Sequence, residues 1–211
     1  MSSVKLVSYS TGVNGESIKD LIIYCARVSN PDSQLEGLGV ERLWKYLKKN
    51  KHWSPFEMAH VCMEINTTRD IARQILRHRS FSFQEFSQRY ADPITALTFE
   101  LKDARLQDMK NRQNSIAVTD PKVHEKFISL QKRVKDVSMS AYMQAIDLGI
   151  AKEQARSVLP EGITGSRLYM AGSLRSWMHF IEVRSDKSTQ QEHRCIAEQC
   201  NKIIEGLLEM A

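Results

Sequence analysis

Between Glu57 and Ile65 the residues Ala59, Val61, Met63 and Ile65 alternate with Met58, His60, Cys62 and Glu64. A period of two with one apolar side is the pattern of a half-buried strand. Such a strand needs neighbours in a sheet and a cover over its apolar face. The segments VKLVSY (4–9) and RLYMAG (167–172) read as further strands. Helical spacing accounts for much of the rest. After an Asn14-Gly15 turn, Ile18, Leu21, Ile22, Cys25 and Val28 form one stripe that ends near Ser29-Asn30-Pro31, and a second helix is expected at about 38–50. HWSPFE (52–57) breaks the pattern. Thr67 or Thr68 is placed to cap a helix over about 69–79, with Ile71, Ala72, Ile75 and Leu76 facing the core. A long helix over 122–148 carries Phe127, Val134, Ala141, Ala145 and Leu148 on its expected core side and ends at Gly149. AKEQARSVLP (151–160) is a shorter helix stopped before Pro160. Ser173 can cap a helix that packs Leu174, Trp177, Met178 and Ile181 inward, and a last helix over about 189–209 shows Ile196, Cys200, Ile203 and Leu207.

The 211 residues allow a substantial core and nothing demands a second domain, so a single domain over 1–211 is expected. With 42% hydrophobic and 26% charged residues the composition is that of a soluble globular protein. MSSVKLVSYSTG lacks the apolar stretch of a signal peptide, and no apolar run approaches the roughly 20 residues of a membrane helix; a cytoplasmic location and no membrane partner are expected. Cys25, Cys62, Cys195 and Cys200 form no CxxC pair, and without HExxH or paired Cys/His spacing no metal site is expected.

The net charge of +5 suits either nucleic acid or small phosphorylated ligands. Its distribution separates the two. No lysine lies between Lys51 and Lys102, yet Arg69, Arg73, Arg77, Arg79 and Arg89 do. A nonspecific nucleic-acid face would take lysine as readily, whereas arginine alone points to planar, bidentate recognition of phosphate or carboxylate. Within RHRSFSFQEFSQRY (77–90), three Phe residues stand beside hydrogen-bonding groups, as in a pocket wall. The rival is a stacking platform for RNA or DNA, against which Glu85 and the distance to the next basic cluster both count. On the helix over 69–79, Gln74, Arg77 and His78 stand at i, i+3 and i+4 and crowd one side of its last turn. In the helix after Ser173, Arg175 and His179 are i, i+4 partners, and Arg184, nine residues beyond Arg175, would point to the opposite side if the helix ran that far.

Arg77-His78-Arg79, seven residues and then Ser87 resembles the RHR-x7-S signature of the flavin-dependent thymidylate synthases. CARVS (25–29) and HWSPFE upstream, with ARSVLP, SLRSWMHF and EVRSD (182–186) downstream, resemble that family's other segments in the same order. Gln84 departs from the Asn of many members; a second departure is the Ser173-Leu174 pair before Arg175, which leaves backbone rather than side-chain contacts to the cofactor. The resemblance implies an α/β fold, an antiparallel sheet flanked by helices that is not a Rossmann fold; the missing G-x-G-x-x-G agrees. It implies reductive methylation of dUMP at uracil C5, with methylenetetrahydrofolate as carbon donor, FAD as redox carrier and NADPH as reductant, giving dTMP and tetrahydrofolate. It also implies a homotetramer with sites shared between subunits.

By the same resemblance Ser54, Arg77, His78, Arg79, Glu85, Ser173, Leu174, Arg175 and His179 contact FAD, whose diphosphate suits bidentate arginines. Gln74, Ile75, Leu76, Arg77, Glu85, Phe86, Ser87, Gln88, Arg89, Arg156 and Arg184 line dUMP, with Ser87 and Arg89 near its phosphate. Arg184 is the expected catalytic cation: set against the uracil edge, it stabilises the base ionised at N3 and so enriches C5. Ser87 has no evident base beside it and reads as a phosphate ligand rather than a nucleophile. His52 borders the folate or nicotinamide site or is a loop residue; His60, His124 and His193 are assigned to structure or surface.

Overall fold

A computed structural model describes residues 2–36 and 38–209. In chain order the elements are β1 (Ser3–Tyr9), α1 (Ile18–Ala26), α2 (Pro31–Glu36), α3 (Val40–Lys49), a 3₁₀ turn (Ser54–Glu57), β2 (His60–Thr68), α4 (Arg69–Ile75), β3 (Ser82–Glu85) and α5 (Pro93–Ala96). There follow β4 (Arg105–Gln107), β5 (Ser115–Ala117), α6 (Pro121–Asp147), α7 (Lys152–Ala155), a second 3₁₀ turn (Arg156–Val158), β6 (Gly165–Ser173), α8 (Leu174–Arg184) and α9 (Gln191–Glu209). The main sheet runs β1-β2-β6-β3 and every neighbouring pair is antiparallel, while β4 and β5 form a separate hairpin.

The alternating strand is the centre of the fold. Val61, Met63 and Ile65 are at most 1% exposed, and β2 pairs with β6 from His60 opposite Ser173 to Thr68 opposite Gly165. Over this face lie Ile18, Ile22 and Ile23 of α1, Trp177 and Phe180 of α8, and Ile196, Cys200 and Leu207 of α9. The expected cap holds at α8: the Ser173 hydroxyl accepts the Ser176 N–H, satisfying one of the donors a helix start leaves over. Among the described residues no helix is long and apolar enough to cross a membrane.

Several expectations need correction. The strand expected from Glu57 begins at His60, because residues 54–57 wind into the 3₁₀ turn. The first helix stops at Ala26, leaving Val28 71% exposed. Thr68 takes the N-cap position of α4, but its hydroxyl bonds Asp70 instead of a backbone N–H. The helix expected over 69–79 ends at Ile75, so Arg77 and His78 lie in the turn beyond it. Phe81 is in the core, its ring 4.9 Å from that of Trp177, and Phe83 packs against the same core, so these rings hold β3 to the domain rather than line a pocket. The largest departure is α6. Its buried residues are Gln131, Ser138 and Tyr142, whereas Phe127, Val134 and Leu148, expected to face the core, are exposed.

Candidate functional site

The pairing of His60 with Ser173 brings the first 3₁₀ turn and the start of α8 to the same end of the sheet. There the Leu174 N–H bonds the Ala59 carbonyl at 2.8 Å, and Trp177 Nε1 donates to the Val61 carbonyl at 3.0 Å. The 76–81 turn closes over the other side, with Ser176 Oγ donating to the Ser80 carbonyl at 3.3 Å. Gly172 permits that approach, since a Cβ there would stand 2.5 Å from Phe81 Cδ1.

Between these parts opens a cleft of about 690 Å³ whose walls include Lys48, Lys51, Trp53, Ser80, Arg175 and His179. Arg175 is tied to Glu57 at 2.7 Å. The Glu57 carboxyl is held below its usual range first by a hydrogen bond from Ser173 and then by Arg175. Ser54 is exposed on the 3₁₀ turn. Ser173 is buried as the helix cap, and Leu174 sends its side chain into the core and its N–H to Ala59, so neither presents a side chain to the cleft. Arg77 and Arg79 are exposed and form no ion pair with any described residue. Cationic groups, serine hydroxyls and an indole around a space of this size are a donor set that fits a flavin dinucleotide, with its diphosphate and planar ring.

A second cluster lies on the opposite side of α8, as the helical phase requires. Arg184 Nε donates to His78 Nε2 at 2.8 Å. His78 therefore accepts at that nitrogen and is neutral; burial and then the Arg184 charge push its pKa down to about 4. The His78 ring stands edge-on to Phe180 at 5.0 Å. Beneath it His193 is fully buried, with its pKa lowered to about 3 by burial and by Arg184. Gln74, at the end of α4, reaches Gln190 at 2.9 Å and His193 at 3.4 Å. The helix ended early, yet the turn still delivers Gln74 and His78 to one place, each touching the α8–α9 side.

Glu85 accepts from Ser166 at 2.8 Å and faces Arg73 at 3.7 Å and Arg69 at 4.0 Å. Arg89 and Arg156 converge on Glu153, the first at 3.3 Å on its carboxylate and the second at 3.2 Å on its carbonyl. Ser87 lies close by, its hydroxyl 3.4 Å from the Arg89 N–H. Gln88 is 3% exposed and its Nε2 has no partner among the described residues. Ile75 is buried in the core, while Leu76 and Phe86 are half-buried.

Sequence reasoning missed Glu153, Gln190 and the placement of His193. Only the last had a signal, because His193, Ile196, Cys200, Ile203 and Leu207 continue one helical stripe.

A family model described as thymidylate synthase complementing protein matches residues 5–208. A flavin-dependent thymidylate synthase of Synechocystis sp. is 49% identical over 194 residues, covering 91% of this chain and 87% of that protein. A probable flavin-dependent thymidylate synthase of Paramecium bursaria Chlorella virus 1 is 44% identical over 206 residues, covering 96% of this chain and 93% of that one. Among solved structures, a UMP/dUMP methylase of Streptomyces cacaoi bound with 5-Br dUMP superposes with a TM-score of 0.84 at 29% identity, covering 98% of this chain and 91% of that one.

Proposed function

The chain belongs to the flavin-dependent thymidylate synthases, and we propose that it methylates dUMP at uracil C5 with methylenetetrahydrofolate as carbon donor, FAD as the flavin and NADPH as reductant. The products are dTMP and tetrahydrofolate, and the enzyme works in the cytoplasm as a single-domain subunit. Arg77, Arg79, Arg175 and His179 hold FAD, with Ser54, His78, Glu85 and the Ser173-Leu174 backbone framing it. Bound flavin supplies the hydride chemistry that turns the transferred carbon into a methyl group. Gln74, Ser87, Arg89, Arg156 and Arg184 hold dUMP, framed by Ile75 to Arg77 and Glu85 to Gln88, with Ser87 and Arg89 at its phosphate.

The observation that carries this reading is the Arg184–His78 contact. Because His78 accepts one guanidinium N–H and stays neutral, it aims the cation without diluting its charge. Arg184 keeps its Nη groups for the uracil edge, where they stabilise the base ionised at N3 and direct electron density to C5. Association into a homotetramer is supported by the exposed apolar stripe of α6, where Val134 is 50% and Val137 66% exposed. A methyl group at C5 must displace the hydrogen there. The holoprotein should therefore release tritium from 5-tritiated dUMP when methylenetetrahydrofolate and NADPH are supplied; absence of release from flavin-loaded protein would sink the reading.

A further inference from the structure

A hydrogen-bonded line of side chains runs beneath the proposed nucleotide site. Arg105 Nη2 meets the Glu192 carboxylate at 2.7 Å and 2.8 Å. Gln190 Nε2 donates to Glu192 at 3.0 Å, Gln74 Nε2 donates to Gln190 Oε1 at 2.9 Å, and Gln74 Oε1 lies 3.4 Å from His193 Nδ1. Burial alone would raise the Glu192 carboxyl, but the Arg105 hydrogen bond and charge outweigh it and hold the group below its usual range.

Each link fixes the next. Arginine can only donate and an ionised carboxylate can only accept, so Gln190 must turn its NH₂ towards Glu192 and its carbonyl towards Gln74. Gln74 then turns its own NH₂ to Gln190 and its carbonyl to His193. Two acceptors cannot share that contact, so His193 must carry its proton on Nδ1. The other nitrogen agrees: Nε2 is buried without a partner among the described residues, and a proton there would be a donor with nothing to receive it. A charged imidazolium is disfavoured as well, because His193 is fully buried beside Arg184.

We infer that His193 is a positioning residue: as the Nδ1–H tautomer it closes a one-way relay from Arg105 that leaves the second N–H of Gln74 as a dedicated donor to a carbonyl oxygen of the pyrimidine. This rests on Gln74 lining the nucleotide, as proposed above. Without His193 the Gln74 carbonyl loses its donor and Gln190 alone holds the amide, so the second N–H is no longer fixed on the base.

The tautomer can be read by ¹⁵N NMR of histidine-labelled, flavin-loaded wild-type protein, and a proton on Nε2 would overturn the relay whatever the kinetics. In steady-state assays His193→Leu should raise the KM for dUMP about tenfold, the scale of one misdirected hydrogen bond, while flavin content holds and kcat changes much less. His193→Asn, whose side-chain N–H can stand near the Nδ1 position, should recover most of that loss. Equal impairment of the Leu and Asn variants, or a wild-type KM in His193→Leu while Gln74→Ala raises it, would overturn the relay alone. A wild-type KM in Gln74→Ala would instead remove Gln74 from the nucleotide and overturn the nucleobase end of the proposal. Since the NMR measurement needs no substitution, it decides even where His193→Leu fails to assemble.

Discussion

Two apolar stripes of similar helical regularity meet opposite fates in this chain. That of α8 and α9 is sealed: Trp177, Phe180, Ile196 and Cys200 are all 0% exposed against the sheet. That of α6 is open, with Phe127, Val134, Val137 and Leu148 from 39% to 80% exposed, while its inward side carries Gln131, Ser138 and Tyr142. The site divides along the same line. Gln74, His78, Arg184 and His193 are fixed to one another over the sealed core, whereas Arg77 and Arg79 are exposed with no ion-pair partner among the described residues. The closed half shows what one chain completes alone; the open half has cations and apolar surface to offer to ligand and partner.

The sharpest way to break this comparison is to empty the closed half. Trp177→Ala should cost about 3–5 kcal/mol of folding stability in urea melts, from the cavity and from the lost bond to the Val61 carbonyl. Arg184→Ala should fold and keep its flavin but lose roughly 100- to 1000-fold in kcat, the scale of one electrostatic group at a transition state; near wild-type turnover at saturating dUMP would refute its role. Ser87→Ala should weaken dUMP binding by roughly 1.5–3 kcal/mol and still turn over when dUMP is abundant, whereas lost turnover at unchanged affinity would make Ser87 a nucleophile. Acid should act on the closed half through His78 and His193. His78 and His193 have pKa values lowered to about 4 and about 3, so in mild acid the unfolded chain binds protons that the folded chain refuses. Stability should thus fall as pH drops from about 6.5 towards these values. His193→Leu should flatten part of that slope in urea midpoints taken from pH 7 to 4.5. The smallest effect on folding belongs to Val134→Asp, expected within about 0.5 kcal/mol in an isolated chain, yet sedimentation should show dissociated subunits.

Much of this was legible in the sequence, for identifiable reasons. The period of two in β2 and the Ser173 cap of α8 are local signals that tertiary contacts reinforced, and the helical phase put Arg184 opposite Arg175. The end of α4 was not legible, because Leu76 and Arg77 favour helix by themselves; the chain leaves it so that Phe81 can reach Trp177 and β3 can pair with β6. On α6 Ala145 packs against the Tyr142 cluster as expected but Phe127, Val134 and Leu148 do not, since periodicity says which residues share a side but not what that side meets. Leu76 and Phe86, expected from the family motif, are half-buried.

The central strand pair also sets a timetable for synthesis. β2 is complete long before its partner exists, because His60 must wait for Ser173, with all of α6 emerging between them. Helices form from local contacts in microseconds, while ribosomes add about 5–20 residues each second. A nascent chain should therefore hold β2 in a half-built sheet for seconds, beside an α6 stripe that stays open even in the finished chain. Refolding yield should fall with protein concentration more steeply than final stability implies, and Val134→Asp should relieve that loss even as it prevents assembly.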